Sequence, residues 1–123
     1  MNTHTIGDSL QKAAVKRFSR PDKVRTCPKA RLELISIGNA TVGRTVFEPG
    51  WRWKSSVQPL VNTESCKTPH LQLHLSGTMR IRMDDGSEFD CRPGDVSFLP
   101  SGHDAWVVGE EPAVVVELHA MVD

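Results

Sequence analysis

Between Glu64 and His103 the chain gathers side chains that could hold an ion or grip a small polar molecule. His70, Gln72 and His74 alternate with Leu71, Leu73 and Leu75. On an extended strand that spacing puts the two imidazoles and the amide on one face and the leucines on the other. By the same rule His103, Ala105 and Val107 share a face of a later strand. Two strands thus each present imidazole to one interior, while Glu64 and Cys66 lie just upstream of the first. His70 and His74 are four residues apart, about 13 Å on a regular strand, too far to share one ion. Cys66 with His70 would make an activated thiolate if a third group oriented the ring, but the sequence identifies none. No GxSxG elbow, P-loop or glycine-rich dinucleotide turn is present.

The segments around these residues read as short strands. RLELISI, TVGRTVF, WRW, LQLHLSG, MRIRM, DVSFLP, AWVVG and AVVVELHA are rich in Val, Ile, Leu, Phe or Trp. Gly-Asn, Pro-Gly, Asp-Gly and Glu-Glu-Pro separate them, and this pattern predicts an all-β sandwich or barrel. Asp85-Gly86 marks a hairpin, and Pro93-Gly94-Asp95 and Pro100-Ser101-Gly102 turn the chain on either side of Val96–Leu99. Upstream, Asp8 or Ser9 is placed to cap a short helix through about Phe18, with Leu10, Ala13, Ala14, Arg17 and Phe18 toward one side. Arg20-Pro21 ends it. The expected organisation is an N-terminal helical segment over 1–22 and one β domain over 23–123.

Composition narrows the function classes. The chain has 123 residues, the size of one domain with one small core. Fifteen basic residues balance fifteen acidic ones, so bulk attraction to nucleic acid or an anionic membrane is not indicated. The basic residues between Lys12 and Arg31 read as a solvated face. No apolar run resembles a signal peptide or a spanning helix. Cys27, Cys66 and Cys91 are an odd, scattered set, which suits reduced thiols and a cytoplasmic location. Cys27 and Cys91 read as structural.

Gly94, Pro100 and Gly102 stand at the offsets of the second signature motif of the cupins. The segment from about Phe47 to Val116, with FEPGWRW, PH, LSG, RMDDG, PGD and PSGHDAWVVG, resembles a small single-domain cupin. Within that family it is similar to bacterial members without a settled biochemical role. The resemblance implies a double-stranded β-helix, or jelly-roll barrel, in which three histidines and a glutamate bind a divalent metal. It also implies pairing of barrels into a homodimer, which would cover exposed strand edges. Residue by residue, the ligand set departs from the motif. Ser56 and Gln58 stand where the first two histidines would be, His70 where the glutamate would be, and Ala105 where the last histidine would be.

Other ligands can replace that set. His70 and His103 form the expected pair, with Cys66 or Glu64 as a third donor from the intervening loop. Imidazole with thiolate favours zinc, iron, copper or nickel over magnesium or calcium, with manganese also among the candidate ions. Gln72, His74, Trp51 and Trp53 are expected pocket residues, and one of the two tryptophans could close the mouth and stack on a ligand. Strand parity points Asp104 away from the interior, and Arg44 and Arg52 read as solvated. No organic cofactor is indicated. Three functional readings follow. The first is a small-molecule-binding protein, with or without a divalent metal, in a sensory or accessory role. The second is a metal-dependent, dioxygenase-like enzyme acting on a small organic substrate. The third is a structural or interaction module whose barrel is filled.

Overall fold

A computed structural model describes residues 12–61 and 63–119. Three strands open the fold as a meander: β1 (Lys23–Cys27), β2 (Ala30–Ile37) and β3 (Ala40–Phe47). Two-residue turns join them, at Pro28-Lys29 and Gly38-Asn39. Lys29 and Gly38 adopt the positive φ, 65° and 55°, that such tight turns between twisted strands require. After a loop come β4 (His70–Ser76), β5 (Thr78–Met83), β6 (Glu88–Cys91), β7 (Val96–Leu99), β8 (His103–Val108) and β9 (Ala113–His119).

These strands form a six-stranded antiparallel sheet, ordered β1-β2-β3-β9-β4-β7, facing a three-stranded sheet, β6-β5-β8. This is the all-β sandwich that the strand spacing implied, in the jelly-roll form that the cupin resemblance implied. It is not a closed barrel, however. Among the described residues no strand pairing joins the two sheets, so side-chain packing holds them together with the isolated backbone bridges of Cys66 to His103 and Arg52 to Trp106. Met79, Ile81, Leu99, Ala105, Val107, Ala113 and Val115 pack between the layers. Nor is the interior filled: a cavity of about 570 Å³ lies between the sheets, contrary to the filled-module expectation.

Alternation sets what faces that cavity. On β4 the leucines point outward and are about two-fifths exposed or more, while His70, Gln72 and His74 point inward. On β7 the cross-strand partners of Leu71 and Leu73, Phe98 and Val96, are 65% and 69% exposed. The outer face of β4 and β7 is therefore an apolar surface. Gly77 makes the corner from β4 to β5 with φ +70°. A Cβ there would lie 2.3 Å from the Pro112 carbonyl oxygen, so the close passage of the β8–β9 connection requires glycine.

Two expected elements differ. Trp51-Arg52-Trp53 is not a strand. Arg52 makes a single isolated bridge to Trp106, and Trp53 begins a one-turn helix, α1 (Trp53–Ser56), followed by a 3-10 turn at Gln58–Leu60. The chain must bend here to cap one end of the sandwich, and both tryptophans are buried by that bend. The start of the expected N-terminal helix lies outside the described residues. Its described part, 12–18, takes no helical turn. This part is held by side-chain contacts instead: Lys16 bonds Asp22, just before β1, at 3.0 Å, and the Arg44 guanidinium of β3 lies 4.8 Å over the Phe18 ring.

Candidate metal and ligand site

One loop and two strands build the site. The loop preceding β4 runs beside the first residue of β8. The Cys66 N–H donates to the His103 carbonyl at 2.7 Å, and the Gly102 N–H donates to the Cys66 carbonyl at 2.7 Å. This pairing places the Cys66 thiol against the His103 ring. Next, β4 begins at His70, whose inward parity brings its ring to the same place. The His70 and His103 rings meet edge to face at 5.2 Å between centroids. One donor atom from each of Cys66, His70 and His103 lies within 4.8 Å of the other two.

The remaining ring atoms are held in place. His70 turns Nε2 toward Cys66 Sγ, at 3.6 Å, and its Nδ1 bonds the Glu117 carboxylate. The Gln72 amide donates to the other Glu117 oxygen at 3.4 Å. His103 spends Nδ1 on the Pro100 carbonyl at 3.0 Å, which leaves Nε2 as its donor atom. A carboxylate or backbone carbonyl behind each imidazole is the arrangement that orients a metal-ligating histidine. Two donors of a tetrahedral site sit about 3.5 Å apart, so the spacings present need only slight contraction around an ion. The donor set of one thiol and two imidazoles fits zinc, iron, copper or nickel and suits magnesium or calcium poorly.

Electrostatics agree with the geometry. Burial pushes the Cys66 thiol up, but hydrogen bonds from His103 and His70 outweigh it and bring the thiol down to about 6. Burial disfavours a charged His70, yet its bonds to Cys66 and Glu117 prevail and raise it to about 9. Thiolate and imidazolium thus face one another at neutral pH when no ion is between them. Cys66, His70 and Glu117 also have the order of an activated thiol, nucleophile then base then orienting carboxylate.

The expected site residues separate into groups. Cys66, His70 and His103 come together, and Gln72, Trp51 and Trp53 line the cavity beside them. Glu64 does not join the donor cluster. Its side chain is exposed and lines a separate polar cleft with Arg52, Lys54 and Ser65, because the Gln58 amide pins the Thr63 and Glu64 carbonyls. His74, a pleat beyond Gln72, is buried and bonded to Ser97 Oγ at 2.8 Å, and it is not on the cavity wall. Burial lowers its basicity. Ser56 and Gln58, at the motif's histidine places, are on α1 and the following turn and do not reach the cavity. Asp104 and Arg52 pair at 2.8 Å on the far side of β8, where the guanidinium also covers Trp106.

Glu117 is the functional candidate that the sequence reading missed. Its signal was the alternation of β9: Ala113, Val115 and Glu117 share the inward face, and a lone carboxylate in an apolar row requires a partner. Only the tertiary pairing of β9 with β4, Gln72 opposite Glu117, shows what that partner is.

No protein-family model and no curated protein matches the sequence. Solved structures do resemble the fold. A protein of unknown function from Rhizobium leguminosarum is 18% identical, with a TM-score of 0.61, over 87% of this chain and 95% of its own. The polyketide cyclase RemF from Streptomyces resistomycificus is 12% identical, with a TM-score of 0.62, over 87% and 78%. A cupin-like protein from Thermotoga maritima is 17% identical, with a TM-score of 0.53, over 76% and 69%. At these identities the likeness concerns the fold, a cupin-type jelly roll, and not the activity. Among the described residues no helix is long and apolar enough to cross a membrane.

Proposed function

We propose that this chain is a small single-domain cupin that binds a small molecule in its jelly-roll cavity, beside a divalent transition metal held by Cys66, His70 and His103. The observation that carries the reading is the convergence of three soft and borderline donors on the wall of that cavity, with Glu117 and the Pro100 carbonyl fixing the two rings. A bound ion would supply Lewis acidity toward a ligand oxygen or nitrogen. Glu117 holds the His70 ring in place, Gln72 holds Glu117, and Trp51 and Trp53 keep water from the apolar end. A sensory or accessory role needs no more than this.

A second reading, a metal-dependent enzyme acting on a small organic substrate, draws on the same donor count. Three protein ligands leave a coordination position for a reactant, as catalytic centres do, whereas structural zinc sites use four. Three thiols without disulfides suit the reducing cytoplasm. The uncharged outer rows of β4 and β7 suit a homodimer, since the same face on a second copy meets them without burying an unpaired charge.

The test is thermal unfolding of untagged protein with added zinc, iron(II), copper, manganese or nickel. Wild type is expected to gain stability with at least one ion, and Cys66→Ser, His70→Ala and His103→Ala each to lose that gain. Equal gains in wild type and all three variants would refute the assignment of ligands. Turnover by the loaded protein would favour the enzyme reading over the accessory one.

A further inference from the structure

The cavity's lining has a polarity that points to one class of ligand. Phe47, Trp51, Trp53, Met79, Ile81 and Val115 supply an apolar wall. Phe47 and Trp51 pack tilted at 4.4 Å, forming an aromatic corner. A volume of about 570 Å³ accommodates a small organic molecule rather than an ion with its water. The charged residues of the lining are unevenly placed. Arg25 on β1 and Lys67 on the loop before β4 line the cavity and are also solvent-exposed, so they stand at its opening. The one carboxylate on the wall, Glu117, is already bonded to His70 and Gln72. No carboxylate of the described residues pairs with Arg25, and Lys67 reaches only an exposed Asp84 at 3.6 Å. The opening therefore carries two cations, and the interior has an apolar, aromatic wall beside the polar cluster of Cys66, His70, His103 and Glu117.

Resting on the small-molecule reading above, we infer that the ligand is an amphipathic organic acid: an aromatic or branched apolar body with a single carboxylate. The body replaces water against Trp51, Trp53 and Phe47, where burial of apolar area favours it. The carboxylate remains at the opening between Arg25 and Lys67, where it keeps part of its hydration and gains two opposite charges. A cationic ligand would meet like charge at the entrance.

The experiment compares 3-phenylpropanoate, 3-phenylpropan-1-ol and 3-phenylpropan-1-amine, matched in body and length. Binding is followed by tryptophan fluorescence in protein stripped of metal by a chelator, so that only the protein's own charges act. The acid is expected to bind about fivefold more tightly than the alcohol, with the amine weakest, and the ratio is expected to shrink in high salt. In the double variant Arg25→Gln, Lys67→Gln the acid-to-alcohol ratio is expected to fall to about one. Both residues are exposed, and denaturant unfolding beside wild type checks that the variant keeps its fold. An alcohol or amine that binds as well as the acid would overturn the inference while leaving the cavity as a small-molecule site. A preference that persists in the double variant would overturn the assignment to Arg25 and Lys67. Binding of none of the three would overturn the inference of an amphipathic acid while leaving the small-molecule reading, which includes a metal beside the ligand, to be scored in zinc-loaded protein. Stabilisation of wild type by zinc scores the metal reading separately.

Discussion

Cys66 carries most of the chemistry at the scale of single residues. In the metal-free protein its thiol lies near 6 rather than the ordinary 9.0, against a His70 raised to about 9. Alkylation of Cys66 by iodoacetamide, followed peptide by peptide, should therefore rise with a midpoint near pH 6. His70→Ala should move that midpoint upward, and an unmoved midpoint would exclude the pairing. The stability that the depressed thiol contributes is complete above its unfolded value and is lost as pH falls through about 6. That from His70 is complete below 6.5 and is lost as pH rises through about 9. Metal-free wild type should accordingly lose part of its advantage over Cys66→Ser on the acid side of 6. Glu117→Gln keeps the size of the side chain but weakens its hold on His70. It should lower zinc affinity about 10–100-fold without abolishing binding, whereas an unchanged affinity would mean that Glu117 does not position the ring. The thiol and both imidazoles were visible in the sequence because their types and strand parity announce them. Glu117 was not, because its meaning depends on the neighbour that β9 acquires only in the folded sheet.

The strands could be read from alternation because each buries one face. The six-residue run of His70 to Leu75 shows the pattern most plainly, with polar side chains inward and leucines outward. Trp51-Arg52-Trp53 has the same composition as a strand, yet it caps the sandwich and coils into α1, since local pattern does not record where the chain must turn. The loop from Val61 to Pro69 was equally opaque. Its backbone pairing to His103 decides that Cys66 enters the site and Glu64 does not. Glycine at the β4–β5 corner offers a test of this level of organisation. Gly77→Ala forces a Cβ to within 2.3 Å of a backbone oxygen at positive φ, and should cost about 2–4 kcal/mol. Gly86→Ala has positive φ but nothing within 4 Å, and should cost only about 1–2 kcal/mol. Denaturant unfolding of the two variants measures the difference, and equal losses would mean that the close passage of Pro112 is not real.

For the whole molecule, a sandwich left open between its sheets does what a closed barrel would not. The cavity is open to solvent and brings together β1, the loop before β4, and both sheets. The outer face of β4 and β7 has the opposite character, with Leu71, Leu73, Val96 and Phe98 in cross-strand pairs turned to solvent. Sedimentation should show a dimer that Phe98→Glu converts to monomer, since a buried unpaired carboxylate opposes association. A wild-type monomer at micromolar concentration would remove the homodimer from this account. Fold class was legible from turn spacing and from the glycine–proline signature. The open edge and the apolar outer face become visible only when the sheets are assembled.

The central claim is a transition-metal centre of one thiolate and two imidazoles, and its most direct test is metal analysis joined to X-ray absorption. The protein should be purified without chelator or affinity tag. The account predicts about one equivalent of a transition metal per chain, with one sulfur and two imidazole nitrogens in its shell and the sulfur lost in Cys66→Ser. Less than about a tenth of an equivalent, with no uptake on adding zinc, iron, copper, manganese or nickel, would contradict it, as would a shell made only of oxygen.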